Sequence, residues 1–406
     1  MEIPEGWKLT SLDSLADNAA SIRYGVVQIG ANTPNGVPIV PIKYINKIST
    51  SALHLAANEI ERKYTNSRVQ PGDVLISVKG TIGEVGIVPS DFFGNIAREI
   101  ARIRPGKGID NNFLAFQLRA EHTQRRMHRL IVGTTRLEFS IKELKKFLVP
   151  VPSLKEQKRI AEILGTWDRA IVVTEALIAK SEAQKKALMQ QLLTGKRRLP
   201  GFEDDWKEVR LGDVAEMTSG NAFKSSDISE EGDYRLIRMN DLKVGVLKNS
   251  DPRFVADHAL DGLERFILHP GDFVFGMTGS LLNYAWIPPD LANTLYLNQR
   301  VGRLSAKNKN SSRFLQQLYL STSVQNNILR MAAGAAQLNI SLRDLRSFII
   351  SVPSFDEQKA IARIIDISAD EVNVLQTKLQ TLKTEKAALM QQLLTGKRRV
   401  KLTEVA

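Results

Sequence analysis

Residues 187–198 read ALMQQLLTGKRR, and residues 388–399 read ALMQQLLTGKRR again, a twelve-residue identity 201 positions apart. Outward from that patch, VPSLKEQKRIAEIL (151–164) returns at the same offset as VPSFDEQKAIARII (352–365). GTTRLEFSIKELKKF (133–147) returns as GAAQLNISLRDLRSF (334–348). Nearer each start, QPGDVLISVKGTIGEVGIVP (70–89) answers HPGDFVFGMTGSLLNYAWIP (269–288), now offset by 199, and Trp7 and Leu12 pair with Trp206 and Leu211. The second copy therefore gains two residues between Pro288 and Asn298. A unit of about 200 residues has been duplicated, and a period that long means two tandem domains rather than a solenoid of short repeats.

Composition sets the outer limits. A chain of 406 residues, 43% hydrophobic, can bury two ordinary cores. No run approaches the roughly 18 apolar residues that span a bilayer, and MEIPEGW at the start holds no apolar stretch for a secretory signal. A soluble, cytoplasmic protein is the expectation. With no cysteine, disulfides and thiolate metal sites are excluded. Lysine and arginine outnumber aspartate and glutamate by 56 to 44, a formal charge of +12 that favours a polyanionic partner, although the same charge serves solubility alone.

Each unit has two grammars. Residues 1–150 and 200–351 are rich in turn signals and short apolar runs (VPIVPI at 37–42, DVLISV at 73–78, EVGIVP at 84–89) that read as strands, with a helix predicted over 113–130 and capped by Asn111 or Asn112. Residues 151–199 read as a long helix closed by Gly195, and 352–406 as a second long helix with a C-terminal tail. Ser153 and Ser354 are the predicted N-caps, with Glu156 and Glu357 as capping-box partners. The expected class is α+β: two similar mixed α/β heads separated by two long helices.

Along the first helix Ile160, Leu164, Trp167, Ile171, Thr174, Ile178, Ser181, Lys185, Leu188 and Leu192 step by four and three, a heptad seam. Ile361, Ile365, Ser368, Val372, Leu375, Leu379, Leu382, Lys386, Leu389 and Leu393 repeat the register, with a lysine at the same level. Matching seams of about 40 residues, roughly 60 Å at 1.5 Å per residue, point to the two helices pairing with each other. Antiparallel pairing would make a pseudo-twofold molecule with a head at each end of one rod.

Catalytic signatures are missing. The five histidines do not occupy equivalent positions in the two units, and no phosphate loop, GxSxG elbow or HExxH occurs. Gly80, Gly83 and Gly86 form a GxxGxxG, but the second copy reads GSLLNYA there, so they are read as turn glycines. No catalytic, cofactor or metal site is expected in this chain.

A tandem pair of heads, each followed by a helix opening VPSxxEQKxIAxI and closing LMQQLLTGKRR, resembles the DNA-specificity subunit of type I restriction-modification systems. The resemblance covers the full chain and both repeats. It implies that each head is a target-recognition domain reading one half of an asymmetric, bipartite site in double-stranded DNA. It further implies that the helices form the antiparallel spacer and dock two modification subunits, which bind S-adenosylmethionine and methylate adenine. Restriction subunits, motors with a nuclease that use ATP and Mg, would then join. Half-sites one helical turn apart, ~34 Å, are within reach of such a rod.

Duplication sorts the residues. Positions identical in both units serve what the halves share, and base-reading side chains should fall where the copies disagree on a common frame. Lys79 and Thr81 face Thr278 and Ser280; Glu84 and Val85 face Asn283 and Tyr284; Thr134, Thr135 and Arg136 face Ala335, Ala336 and Gln337. Arginine pairs bidentately with guanine and glutamine with adenine, which makes Arg136 and Gln337 a suggestive swap. Arg119, Arg125, Arg126 and Arg129 in head one, and Arg235, Arg238 and Lys243 in head two, are the phosphate-contact candidates. The KRR runs at 196–198 and 397–399 either complement helix dipoles or offer a shared surface to phosphate or a partner. A stand-alone two-headed DNA-binding regulator is the second reading, separable by whether methyltransferase and helicase-like nuclease genes lie beside this one. A fused nuclease or methyltransferase is the third and lacks matched acidic and lysine residues.

Overall fold

The computed structural model describes residues 3–50, 52–131, 138–333 and 338–401. Two compact units emerge, Met1–Ala176 with Thr377–Ala406, and Leu177–Gln376. The division falls inside both long helices, Leu154–Leu192 and Phe355–Leu393. Each unit thus holds a head, the start of one helix and the end of the other.

In the first head the continuous apolar run VLIS forms the strand Val74–Ser77, in which every residue is buried. That pattern belongs to a strand covered on both faces. Its sheet runs Arg23–Tyr24, Ile100–Ile103, Val74–Ser77, Val85–Ile87, antiparallel throughout. Because side chains alternate along a strand, Val74, Ile76, Ala101 and Ile103 pack on one face with Phe113, Leu114 and Leu118. Leu75 and Ile100 pack on the other with Val40, Val69 and Ile96. Fully burying each valine, leucine, isoleucine or phenylalanine among them contributes about 1.5–3 kcal/mol. The second head repeats the plan: Phe273–Gly276 lies between Val301–Ala306 and Tyr284–Trp286, Phe273 and Phe275 facing the helices, Val274 facing a five-stranded sheet. Each head closes by pairing its first strand with its last, Lys8–Ser11 with Leu148–Val151 and Lys207–Arg210 with Ile349–Val352.

The helix expected over 113–130 is two helices, Asn111–Arg119 and Glu121–His128, divided at Ala120, which is extended (φ −62°, ψ 136°). Its cap is Asp110, not Asn111 or Asn112: Asp110 Oδ1 accepts from Phe113 N at 2.9 Å, the N-cap geometry that satisfies one of the first-turn donors. The break lets Thr123 and Met127 turn back onto the core.

Within each unit the helix segments run antiparallel. In the first, Ile160 and Leu164, near the start of one helix, share a core with Leu393 and Leu394 at the end of the other, and Lys386 pairs with Asp168. In the second, Leu192 and Leu193 share a core with Ile361 and Ile365. Every seam residue named from the heptad pattern is buried or half-buried.

The repeated motifs are explained by one device used twice. Glu156 is buried and accepts two hydrogen bonds from Arg399, at 2.7 and 2.8 Å; Glu357, equally buried, accepts two from Arg198, at 2.8 and 2.9 Å. Ser153 Oγ does accept from Glu156 N at 3.3 Å, so the cap stands, but the capping box does not: the glutamate carboxylate is taken by the arginine. The next residue, Gln157, accepts from Asp110 N at 2.9 Å and donates to Pro152 O, and Gln358 does the same to Ser311 N and Pro353 O. Asp110 and Ser311 are the caps of equivalent head helices, so the EQ pair ties head to helix. Gly195 and Gly396 both sit at φ 68°, the left-handed stop that lets Arg197 N reach back to Gln191 O and Arg398 N to Gln392 O.

Candidate nucleic-acid interface

The divergent loop begins from a fixed root. Asp73 is buried, accepts from Gln70 N at 2.8 Å and pairs bidentately with Arg104 at 2.8 and 2.9 Å; Asp272 accepts from His269 N and meets Arg303. From these turns the strands run to Lys79 and Thr278. Beyond them Gly80 (φ 72°) and Gly279 (φ 70°) make the same left-handed bend, which only glycine adopts without strain. Gly86 differs from the turn role assigned to it. It lies in a strand where an added Cβ would stand 2.0 Å from Ile45 O.

At the loop, Lys79 pairs with Glu138 at 3.2 Å and lies 5.3 Å from the centre of the Tyr24 ring. In the second head Thr278 Oγ1 donates to Asn339 Oδ1 at 3.1 Å. Backbone bridges join the same pairs, Lys79 to Glu138 and Thr278 to Asn339. Lys79 and Thr278 therefore lie beside Glu138 and Asn339, equivalent residues of the two heads. Thr134, Thr135, Arg136 and Gln337 lie outside the described residues. Thr81 and Ser280 are exposed; Asn283 is spent on Leu242 O at 2.9 Å, and Tyr284 packs on Phe273 and Trp286, burial pushing its phenol up.

The arginines divide by burial. Arg119 turns inward and donates twice to Val85 O, at 2.8 and 3.1 Å, burial pressing its pKa down. Arg126 donates to Leu148 O and stacks on Phe147, and Arg125 pairs with Glu121 on the surface. Arg129 is exposed. In head two Arg235 is 3% exposed and donates to Lys248 O, while Arg238 grips the Asp241 carboxylate, so both tie loops internally; Lys243 is exposed. Free cationic surface is thus narrower than the count of arginines suggests. The KRR runs divide likewise: their last arginines clamp buried glutamates, leaving Lys196, Arg197, Lys397 and Arg398 outside.

Thr278, Ser280 and Asn283 line a concavity of about 420 Å³ with Asn240, Lys248 and Arg300, and among the described residues no carboxylate lines it. Arg300 escaped sequence reasoning. Its signal was present, since it faces Glu99 at the offset of 201, but the two-residue insertion just upstream hid the register.

A mixed α/β head given twice, each on the paired ends of two long helices and each carrying unlike polar loops on one backbone frame, defines a tandem recognition protein. The family model for the type I restriction modification DNA specificity domain matches residues 4–183 and again 203–384, and the chain belongs to that family. Among its relatives, the MjaVIII type I restriction enzyme specificity subunit of Methanocaldococcus jannaschii is 23% identical over 421 residues, covering 99% of this chain and 95% of the relative. The EcoBI specificity subunit of Escherichia coli is 28% identical over 244 residues, 54% of this chain and 52% of the relative. The solved S subunit of a type I restriction-modification system from M. genitalium superposes with a TM-score of 0.61 at 18% identity, covering 99% of both chains, a likeness of fold.

Proposed function

We propose that this chain is the noncatalytic specificity subunit of a type I restriction-modification complex, each head reading one half of a bipartite, asymmetric site in double-stranded DNA. The observation that carries this reading is the pair of equivalent loops, rooted and bridged alike, that present Lys79 with Glu138 in one head and Thr278 with Asn339 in the other. Equal frames with unequal side chains are what two unlike half-sites require, because base edges are read by side-chain chemistry. The formal charge of +12 supports a polyanionic partner.

The rod docks two modification subunits and sets the number of unread base pairs. Val172 and Val173, and in the other unit Ile367 and Val374, are more than half exposed apolar side chains on the long helices, which suits helix faces that a partner covers. S-adenosylmethionine enters with the modification subunits, and ATP with Mg enters with restriction subunits. No described helix is long and apolar enough to cross a membrane, and the assembly acts on chromosomal DNA in the cytoplasm.

The test is a map of methylated adenines in a methylation-free host carrying this chain with its cognate methyltransferase, against the methyltransferase alone. A single split motif with two unlike halves, present only with this chain, is expected. Unchanged methylation with both proteins soluble would overturn the reading in favour of a stand-alone DNA-binding protein.

A further inference from the structure

The strand Asn95–Ile96 passes into Ile100–Ile103 through three residues, and Thr294–Leu297 passes into Val301–Ala306 through another three. The two connections share their backbone hydrogen bonds, although only the second passes through a positive φ, at Arg300. Ile100 N donates to Ala97 O at 3.0 Å and Val301 N to Asn298 O at 3.2 Å, closing a turn in each head. Arg98 N reaches Val26 O at 3.0 Å and Gln299 N reaches Asn221 O at 2.7 Å; Val78 N reaches Glu99 O at 2.7 Å and Met277 N reaches Arg300 O at 2.9 Å. The last pair of bonds places each turn beside the Lys79 or Thr278 loop. On this common frame the tips read Arg98-Glu99 in one head and Gln299-Arg300 in the other.

Arg300 is exposed, stands at φ 68°, and has no ion-pair or side-chain hydrogen-bond partner among the described residues. A left-handed backbone is unfavourable for a side chain with a Cβ, and glycine would relieve it. Arg300 keeps that strain while lining a concavity with Asn240, Lys248, Thr278, Ser280 and Asn283, and among the described residues no carboxylate lines it. Arginine's planar fork matches the O6 and N7 acceptors of guanine.

We propose that Gln299-Arg300 is the base-reading turn of the second head, Arg300 pairing bidentately with a guanine in the major groove of its half-site. Glu99 holds the equivalent place in the first head. A carboxylate beside a polyanion is tolerable where it accepts a hydrogen bond from a base, and the cytosine N4 amine is the donor of that kind. Its contact with Arg98, at 3.1 Å between two partly exposed side chains, is of the weak surface type that DNA can replace. This assignment rests on the specificity-subunit reading above.

The experiment compares methylation maps, in the methylation-free host with the modification subunit, for the native chain, Arg300→Gly, Arg300→Lys and Glu99→Gln. Arg300→Gly suits the left-handed backbone, so the purified variant keeps or raises its melting temperature. One guanine position of one half-site is expected to lose discrimination by about tenfold or more in both Arg300 variants, every other position holding. Glu99→Gln alters one position of the opposite half-site. An unchanged motif in Arg300→Gly, an equal fall at every site, loss of methylation with a lowered melting temperature, or both residues acting on the same half-site would each overturn the assignment. A native chain that directs no split motif would instead overturn the specificity-subunit reading.

Discussion

Arg399 and Arg198 hold carboxylates that are 4% and 1% exposed, so removing either arginine leaves a buried acceptor without its donor. Such an orphaned group costs about 1–3 kcal/mol. Arg399→Ala is expected to lower the urea midpoint of the first unit, and Glu156→Gln added to it to restore much of the loss. The salt dependence of DNA binding should stay the same, since phosphate contacts and not internal pairs release counterions; a shallower slope would show that Arg399 reaches DNA. At this scale the letters mislead. Arg119, Arg125 and Arg126 share one short stretch, yet one donates to a strand carbonyl, one pairs on the surface and one stacks on Phe147. The bend at Ala120, which no local signal announced, separates Arg119 from the other two, and Arg125 and Arg126 part because successive residues of one helix point in different directions.

At the scale of the element, the two long helices carry the same seam with unequal ion pairs. Lys386 finds Asp168 across the seam and lies over the Phe116 ring, whereas Lys185, its repeat, lines a cleft and has no acidic partner among the described residues, Ala369 standing where Asp168 would. Lys185→Leu is therefore expected to stabilise the second unit by roughly 1 kcal/mol, an apolar side chain in place of a lone half-buried ammonium. Lys386→Leu should destabilise the first unit by a similar amount, because Asp168 loses its partner. Thermal melts of the two variants decide it, and equal shifts of one sign would refute the asymmetry. The heptad was legible because burial on a helix follows a fixed period. The ion pairs were not, because they join residues about 200 positions apart.

Across the whole molecule, the proposed ruler depends on helices of 39 residues each, about 60 Å at 1.5 Å per residue. Inserting one heptad into both, near Thr174 and Leu375, keeps the seam in register and is expected to lengthen the unread gap while both half-sites stay the same. Methylation mapping checks it, and an unchanged gap would count against the rod as the ruler.

Duplication, the heptad seam, strand runs such as DVLISV and the absence of long apolar segments were all readable in the letters, because periodicity and repetition are local or self-referential properties of a chain. The family followed from motifs that recur in order. What folding added was the partner of each charged group. Glu156 looked like half of a capping box until Arg399 arrived from the far end of the chain, and Arg235 looked like a phosphate contact until burial closed over it. Arg300 was one exposed cation among many until the hydrogen bonds of its turn gave it the place in its head that Glu99 holds in the other. Whether a charge meets water, a carboxylate or a base depends on segments brought together from far along the chain, and that is settled by packing in three dimensions.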